Sequence, residues 1–254
     1  MADSSTFSHL LLTPTFNRGG LMRSVCDKLN VEANRDDMRV RVVHIILDDG
    51  SSKGLSDYAA IDRVYGQKNG YARYQVVLIK NTQNNGVRGF WKTKNTLLSY
   101  TRSLHYAYAI SMPDDCMPCD RFFERVTTHF KRLRDADERI VAMNIGCTLL
   151  RNWGTCRYVD EAYIATRQLF EALNFELEPI GHGNGSKWSD NFRCGSGTGN
   201  QMTQRLLKHP KYSIAPCQDI SYLNPINTPS VMFKRKRGEQ IWWRNNFCGN
   251  EHDE

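Results

Sequence analysis

Two pairs of adjacent aspartates, Asp48-Asp49 and Asp114-Asp115, each follow an apolar run and precede a polar turn. Two carboxylates at the mouth of a buried strand are costly unless a cation or a ligand uses them. Met112-Pro113-Asp114-Asp115-Cys116 therefore reads as the place where a divalent metal holds a diphosphate. Taken alone, Pro113-Asp114-Asp115 is better explained as a turn with a helix N-cap behind it. The upstream stretch Leu47-Asp48-Asp49-Gly50-Ser51-Ser52 reverses that balance, because a second acidic strand end at this separation suits the two ends of one nucleotide.

The elements that must position these carboxylates follow from periodicity. Ser8 to Thr13 reads as a buried strand ending at Pro14, followed by a helix whose Leu21, Val25 and Leu29 share a face. Val40 to Leu47, Tyr74 to Ile79 and Tyr108 to Met112 are further strands, and Leu55 to Tyr65 a helix. Asn81 to Gly89 has loop composition, after which Phe90 to Ala107 reads as a helix carrying Lys92, Lys94, Arg102 and His105. Strand, acidic turn, helix is how an open parallel sheet presents ligand groups at its carboxyl edge. Three such units in a row predict an α/β fold with a Rossmann-like, mostly parallel central sheet.

Further along, Asp120 to Leu133 is amphipathic through Phe122, Phe123, Val126 and Phe130, and Ile140 to Leu149 reads as a strand. Arg157 to Ala165 reads as a strand, Arg167 to Leu173 and Gln201 to Lys208 as helices, and Tyr212 to Ala215 as a short strand. The Gly/Ser-rich His182 to Gly199 is the longest expected loop. The resulting expectation is a single domain over 1–254, with a ligand-binding half at 1–119, a smaller second half at 120–225 and a basic, Trp-containing segment at 226–254.

A chain of 254 residues with 40% apolar content can bury a sizeable core, which excludes disordered and fibrous classes. No stretch approaches the roughly 18 apolar residues needed to span a bilayer, and Met1 to Ser5 lacks a signal-peptide start; a cytoplasmic location is expected. Eight scattered cysteines then read as free thiols, and Cys116 with Cys119 as a CxxC lacking regularly spaced zinc partners. The net charge of +7 favours polyanions or phosphorylated ligands without separating them.

In order and spacing, the first half resembles the GT-A glycosyltransferases, especially family 2. The likeness rests on Leu12-Thr13-Pro14-Thr15-Phe16-Asn17-Arg18, on Leu47-Asp48-Asp49-Gly50-Ser51-Ser52, on Asn84-Asn85-Gly86 with Lys94-Asn95, and on Pro113-Asp114-Asp115 in the place of the family's D-x-D motif. The resemblance implies a nucleoside diphosphate sugar donor, a UDP-sugar first of all. It implies that Thr13, Pro14, Thr15, Asn17 and Arg18 line the base and ribose beside Gly50 and Ser51. Asp49 would accept a hydrogen bond from a base N–H, Lys92 or Lys94 would reach the nucleotide, and Asp115, with Asp114 assisting or on the ribose, would hold Mn²⁺ or Mg²⁺.

The second half departs from the family. Thr198-Gly199-Asn200 stands where a Glu-Asp pair is normal, so the catalytic base falls to Asp160, Glu161 or Asp190, in that order. Retention or inversion at the anomeric carbon stays open. The acceptor expected for a basic chain of this kind is a hydroxymethylated nucleobase in DNA. The alternative is a nucleic-acid-binding protein that kept the fold and lost turnover, suggested by Lys234 to Arg237 beside Trp242 and Trp243. A nucleotidyltransferase, which normally opens with a Gly-rich basic loop, ranks behind both.

Overall fold

A computed structural model describes residues 7–35, 40–66, 72–146, 157–159, 161–180, 197–216 and 220–226. Strands β1 (Phe7–Thr15), β2 (Val42–Asp48), β3 (Tyr74–Lys80) and β4 (Tyr106–Ser111) pair in parallel in the order β3-β2-β1-β4. Helices α1 (Gly19–Ala33), α2 (Leu55–Tyr65) and α3 (Gly86–Ser103) connect them. Beyond β4 the sheet is mixed. After β5 (Cys116–Pro118) and α4 (Phe122–Ala136), β6 (Ile140–Asn144) and β7 (Tyr163–Ala165) continue it, with β7 antiparallel to both β4 and β6. Helices α5 (Arg167–Ala172) and α6 (Gly197–Leu207) follow, β8 (Ser213–Ile214) forms the far edge, parallel to β6, and β9 (Leu223–Pro225) pairs with β5.

Alternation along β1 divides the core. Leu11 packs in a cluster with Met22, Val25, Ile61, Phe123, Val126 and Phe130, from α1, α2 and α4. Leu10 and Leu12 pack on the opposite face with Leu97, Leu98, Phe170 and Met202, from α3, α5 and α6. Two helical layers thus cover both faces, as a largely parallel sheet requires. Val42, Val43, Ile45 and Ile46 supply the β-branched content of β2, all seven of whose positions are buried.

Several element boundaries differ from the sequence expectation. β1 runs through Pro14 to Thr15 because the ladder to β2 pairs Pro14 with Leu47 and Thr15 with Asp48. Helix α3 begins at Gly86 and stops at Ser103, so Ala107, expected in a helix, lies in β4. The expected strand from Arg157 shrinks to Tyr163–Ala165, with Arg157 only in an isolated bridge to Pro216. Helix α6 starts at Gly197, inside what reads as a loop. The rest of the expected loop at 182–199, the segment 227–254, and Cys147 and Cys156 lie outside the described residues. Among those described, Cys26 and Cys119 are buried and Cys116 is half-buried, and no helix is long and apolar enough to cross a membrane.

Candidate functional site

The carboxyl ends of β1, β2 and β4 converge on one cavity of ≈ 210 Å³. From the upstream motifs it is lined by Pro14, Thr15, Arg18 and Asp49, and from the downstream motif by Asp114, Asp115 and, later in the chain, Glu161. Asp49 and Asp115 are 66 residues apart in the numbering and face the same space.

At the β2 end the two aspartates divide the work. Asp48 is fully buried and its Oδ1 accepts the Ser51 N–H at 2.9 Å, closing the turn. Asp49 is held by the loop before α3. Its Oδ1 accepts from Asn81 Nδ2 at 2.7 Å and Asn85 Nδ2 at 2.9 Å, while its Oδ2 accepts from the Asn85 backbone N–H at 3.2 Å. Each carboxylate oxygen can accept about two hydrogen bonds, so one acceptor position of Oδ2 is left for a ligand N–H. Gly50 makes this docking feasible: its φ is 77°, and a Cβ there would lie 2.6 Å from the Asn84 nitrogen.

At the β4 end a cation already meets the carboxylates. Arg18 Nη1 lies 2.5 Å from Asp114 Oδ1 and 3.3 Å from Asp115 Oδ2, with all three side chains largely buried. Burial pushes the Asp114 carboxyl above its usual range, Arg18 and the Thr15 hydroxyl pulling the other way. For Arg18 burial works against the charge, and the two carboxylates outweigh it and raise its pKa. The short β5–β9 pair braces this end, with the Asp115 carbonyl accepting the Ile226 N–H at 2.7 Å.

Among the described residues no three His, Cys, Asp or Glu side chains gather as a complete metal cage. Two carboxylates aimed at one point nevertheless supply hard oxygen ligands of the kind Mg²⁺ and Mn²⁺ prefer. Such ions usually take one or two protein carboxylates and complete their shell with water and substrate phosphates. Asp114 and Asp115 fit that role.

Other residues expected at the ligand lie just behind it. Thr13 turns its hydroxyl onto His44 Nε2 at 2.8 Å, beneath the cavity rather than in it. Asn17, at φ 57°, accepts the backbone N–H groups of Ser52 and Lys53, both at 2.9 Å, and its own N–H donates to Ser51 Oγ. Asn17, Gly50 and Ser51 thereby fix one loop against the other without lining the cavity. Lys92 is exposed beside the Trp91 ring, and the Lys94 ammonium is buried near Phe90 and Ser111; neither lines the cavity. Asp160 and Asp190 lie outside the described residues, which leaves Glu161 as the candidate base placed at the cavity.

Phe16, Asn84, Gly86 and Pro113, which stand in the motifs read from the sequence but were given no ligand role there, complete the wall with Phe90 and Thr93, which sequence reasoning missed. Gly86, Phe90 and Thr93 stand at i, i+4 and i+7, one face of a helix, and that spacing was a usable signal.

Solved structures share this architecture. A mannosyltransferase from Pyrobaculum calidifontis, in complex with GDP-Man and Mn²⁺, aligns with a TM-score of 0.56 at 15% identity, covering 94% of this chain and 61% of that one. S. aureus TarS 1-349 aligns with a TM-score of 0.54 at 12% identity over 86% and 60% of the two chains, and its complex with UDP-GlcNAc with 0.55 at 11% over 88% and 59%. The chain has a GT-A-type glycosyltransferase fold. It spans about three-fifths of the length of these neighbours. No protein-family model and no curated protein matches the sequence. At such identities the GT-A likeness is one of fold, and the chemistry has to be argued from the cavity.

Proposed function

We propose that the cavity takes a nucleoside diphosphate sugar and that the protein transfers the sugar to an acceptor hydroxyl. The observation that carries this reading is that Asp49 and Asp115, from two different strand ends, line one cavity. Asp49 is the base-end acceptor, and the open position on Oδ2 suits an imide or amide N–H such as that of uracil. A UDP-sugar is the first donor to test; the neighbours' printed ligands are UDP-GlcNAc in one case and GDP-Man with Mn²⁺ in the other.

Asp114 and Asp115 would hold Mn²⁺ or Mg²⁺ at the diphosphate end. A bound divalent ion there neutralises charge on the departing diphosphate. Arg18, already at that end, adds a fixed positive charge beside the same oxygens. Glu161 takes the proton of the acceptor hydroxyl as its oxygen bonds to the sugar C1. The C1–O bond to the diphosphate breaks, and its electron pair leaves with the nucleoside diphosphate. A single displacement of this kind inverts C1. The acceptor proposed is a hydroxymethylated base in DNA, which a net charge of +7 is compatible with but does not single out.

The test is a screen of nucleoside diphosphate sugars for hydrolysis with Mn²⁺, coupled to thermal unfolding with the same nucleotides. One nucleotide should raise Tm in the wild type and not in Asp115→Ala. No shift with any base or metal would overturn the reading. Mass analysis of nucleosides after incubation with hydroxymethylated and plain DNA tests the acceptor separately.

A further inference from the structure

A second concavity, of ≈ 290 Å³, lies at the other edge of the sheet. Arg139 immediately precedes β6 and Ser213 opens β8, whose register pairs Ser213 with Ile140. Both strands run in the direction of β4, because β7 is antiparallel to β4 and to β6. Their first residues therefore sit at the amino edge, whereas Asp49 and Asp114 follow the carboxyl ends. The two concavities share no lining residue.

The lining of this second concavity is rich in donors. Arg139 gives two of its five N–H groups to Asp137, from Nε and Nη2 at 2.9 Å each, and keeps the others. Arg157 donates from Nη1 to the Ile214 carbonyl at 2.5 Å and keeps the rest of its fork. Lys211 is exposed at the rim, and its backbone N–H donates to His209 Nδ1 at 3.2 Å. With Nδ1 accepting that bond, the ring N–H is on Nε2; the ring is stacked on Tyr212, with centroids 4.7 Å apart and planes 10° from parallel. The Ser213 Oγ is buried with no hydrogen-bond partner. Counting Arg139, Arg157 and Lys211 against Asp137 leaves an excess of positive charge.

We infer that this concavity is an anion site that takes one phosphoryl group of a phosphate ester. Arg139, Arg157, Lys211, His209 and Ser213 line the concavity together, and a tetrahedral anion offers acceptor oxygens to guanidinium, ammonium, imidazole and hydroxyl donors alike. The inference is independent of glycosyl transfer at the first cavity. Its ligand is either a small phosphate ester or the backbone of a nucleic acid, and the chemistry of recognition is the same.

Calorimetric titration of the full chain with inorganic phosphate tests it. Arg139→Gln combined with Lys211→Gln, both surface changes, should weaken phosphate binding at least about tenfold. Ser213→Ala should weaken it with no loss of Tm, since the hydroxyl it removes has no partner. Arg18→Ala, which alters only the first cavity, should leave this event intact. Phosphate binding equal to wild type in both the double variant and Ser213→Ala would overturn the inference, as would loss confined to Arg18→Ala. A single DNA strand of about 12 nucleotides separates the sources. Strand binding that the double variant lowers assigns the site to a phosphodiester backbone, and phosphate binding without strand binding assigns it to a small ester.

Discussion

Arg18 Nη1 stands 2.5 Å from Asp114 Oδ1, with the two side chains only 13% and 12% exposed. An ion pair this deep contributes less by its own attraction than its disruption costs, because removing one partner leaves an unpaired buried charge. Asp115 shares the same guanidinium at 3.3 Å, so loss of Arg18 strands two carboxylates. Arg18→Ala is expected to lower stability by about 3 kcal/mol. Mn²⁺ alone should then restore part of the loss, since the freed carboxylates can take the ion directly. Thermal unfolding of wild type and variant, with and without Mn²⁺, reads both effects; the metal-induced rise in Tm should be larger in the variant.

Asp49 presents the opposite situation, an anion satisfied by neutral donors. Three N–H groups, from Asn81, the Asn85 side chain and the Asn85 backbone, point at its carboxylate. Asp49→Asn keeps the shape and turns one oxygen into a donor facing donors. We expect a loss of UDP affinity of at least about tenfold, together with a stability cost of about 1–3 kcal/mol from the unsatisfied groups. Calorimetry with UDP and urea denaturation measure the two separately. Unchanged affinity would remove Asp49 from the base end.

Stability should also fall at mildly acid pH, because of two buried histidines that do not line the cavity. Burial holds the His9 imidazole at about 3, Lys131 adding to the effect, and burial alone holds His44 at about 3, against an ordinary 6.5. Both rings are fixed by hydroxyls, His9 between Ser8 and Thr127 and His44 between Tyr74 and Thr13. With the folded value depressed, the unfolded chain binds protons first. The stability is therefore fully present above about 6.5 and drains as pH falls from there toward 3. At pH 5.5 each ring costs about 1.4 kcal/mol, about 3 kcal/mol for the pair. Urea midpoints at pH 7.5 and 5.5 check this, and a midpoint that does not fall contradicts it.

Much of the first half of the chain was legible because its signals are local. Asp48-Asp49-Gly50 and Pro113-Asp114-Asp115 mark strand ends in the sequence, and the strands do end there. What stayed hidden depends on contacts between distant residues. Asn84-Asn85-Gly86 carries turn chemistry, yet α3 starts at Gly86 because Asn85 is anchored to Asp49 and to Thr93 Oγ1. β5 and β9, three residues each, are too short to show a period of two, although they secure the backbone of Asp115. Thr13 and Ser51 belong to motifs whose neighbours line the cavity, and only the fold reveals that they bind other protein groups instead.

Glu161 offers the sharpest test of turnover as distinct from binding. It lines the cavity with Asp115, at the start of the short segment leading into β7, and lies well away in sequence from Asp49, the residue proposed for the base end. A group that only accepts the acceptor's proton contributes in the transition state and little to donor affinity. Glu161→Gln preserves size and hydrogen-bonding reach while removing basicity, so kcat should fall by about 10²–10⁴ with UDP affinity within about twofold of wild type. A variant with full kcat, or one that loses nucleotide binding in proportion to activity, would take the base role away from Glu161 while leaving the donor cavity as described.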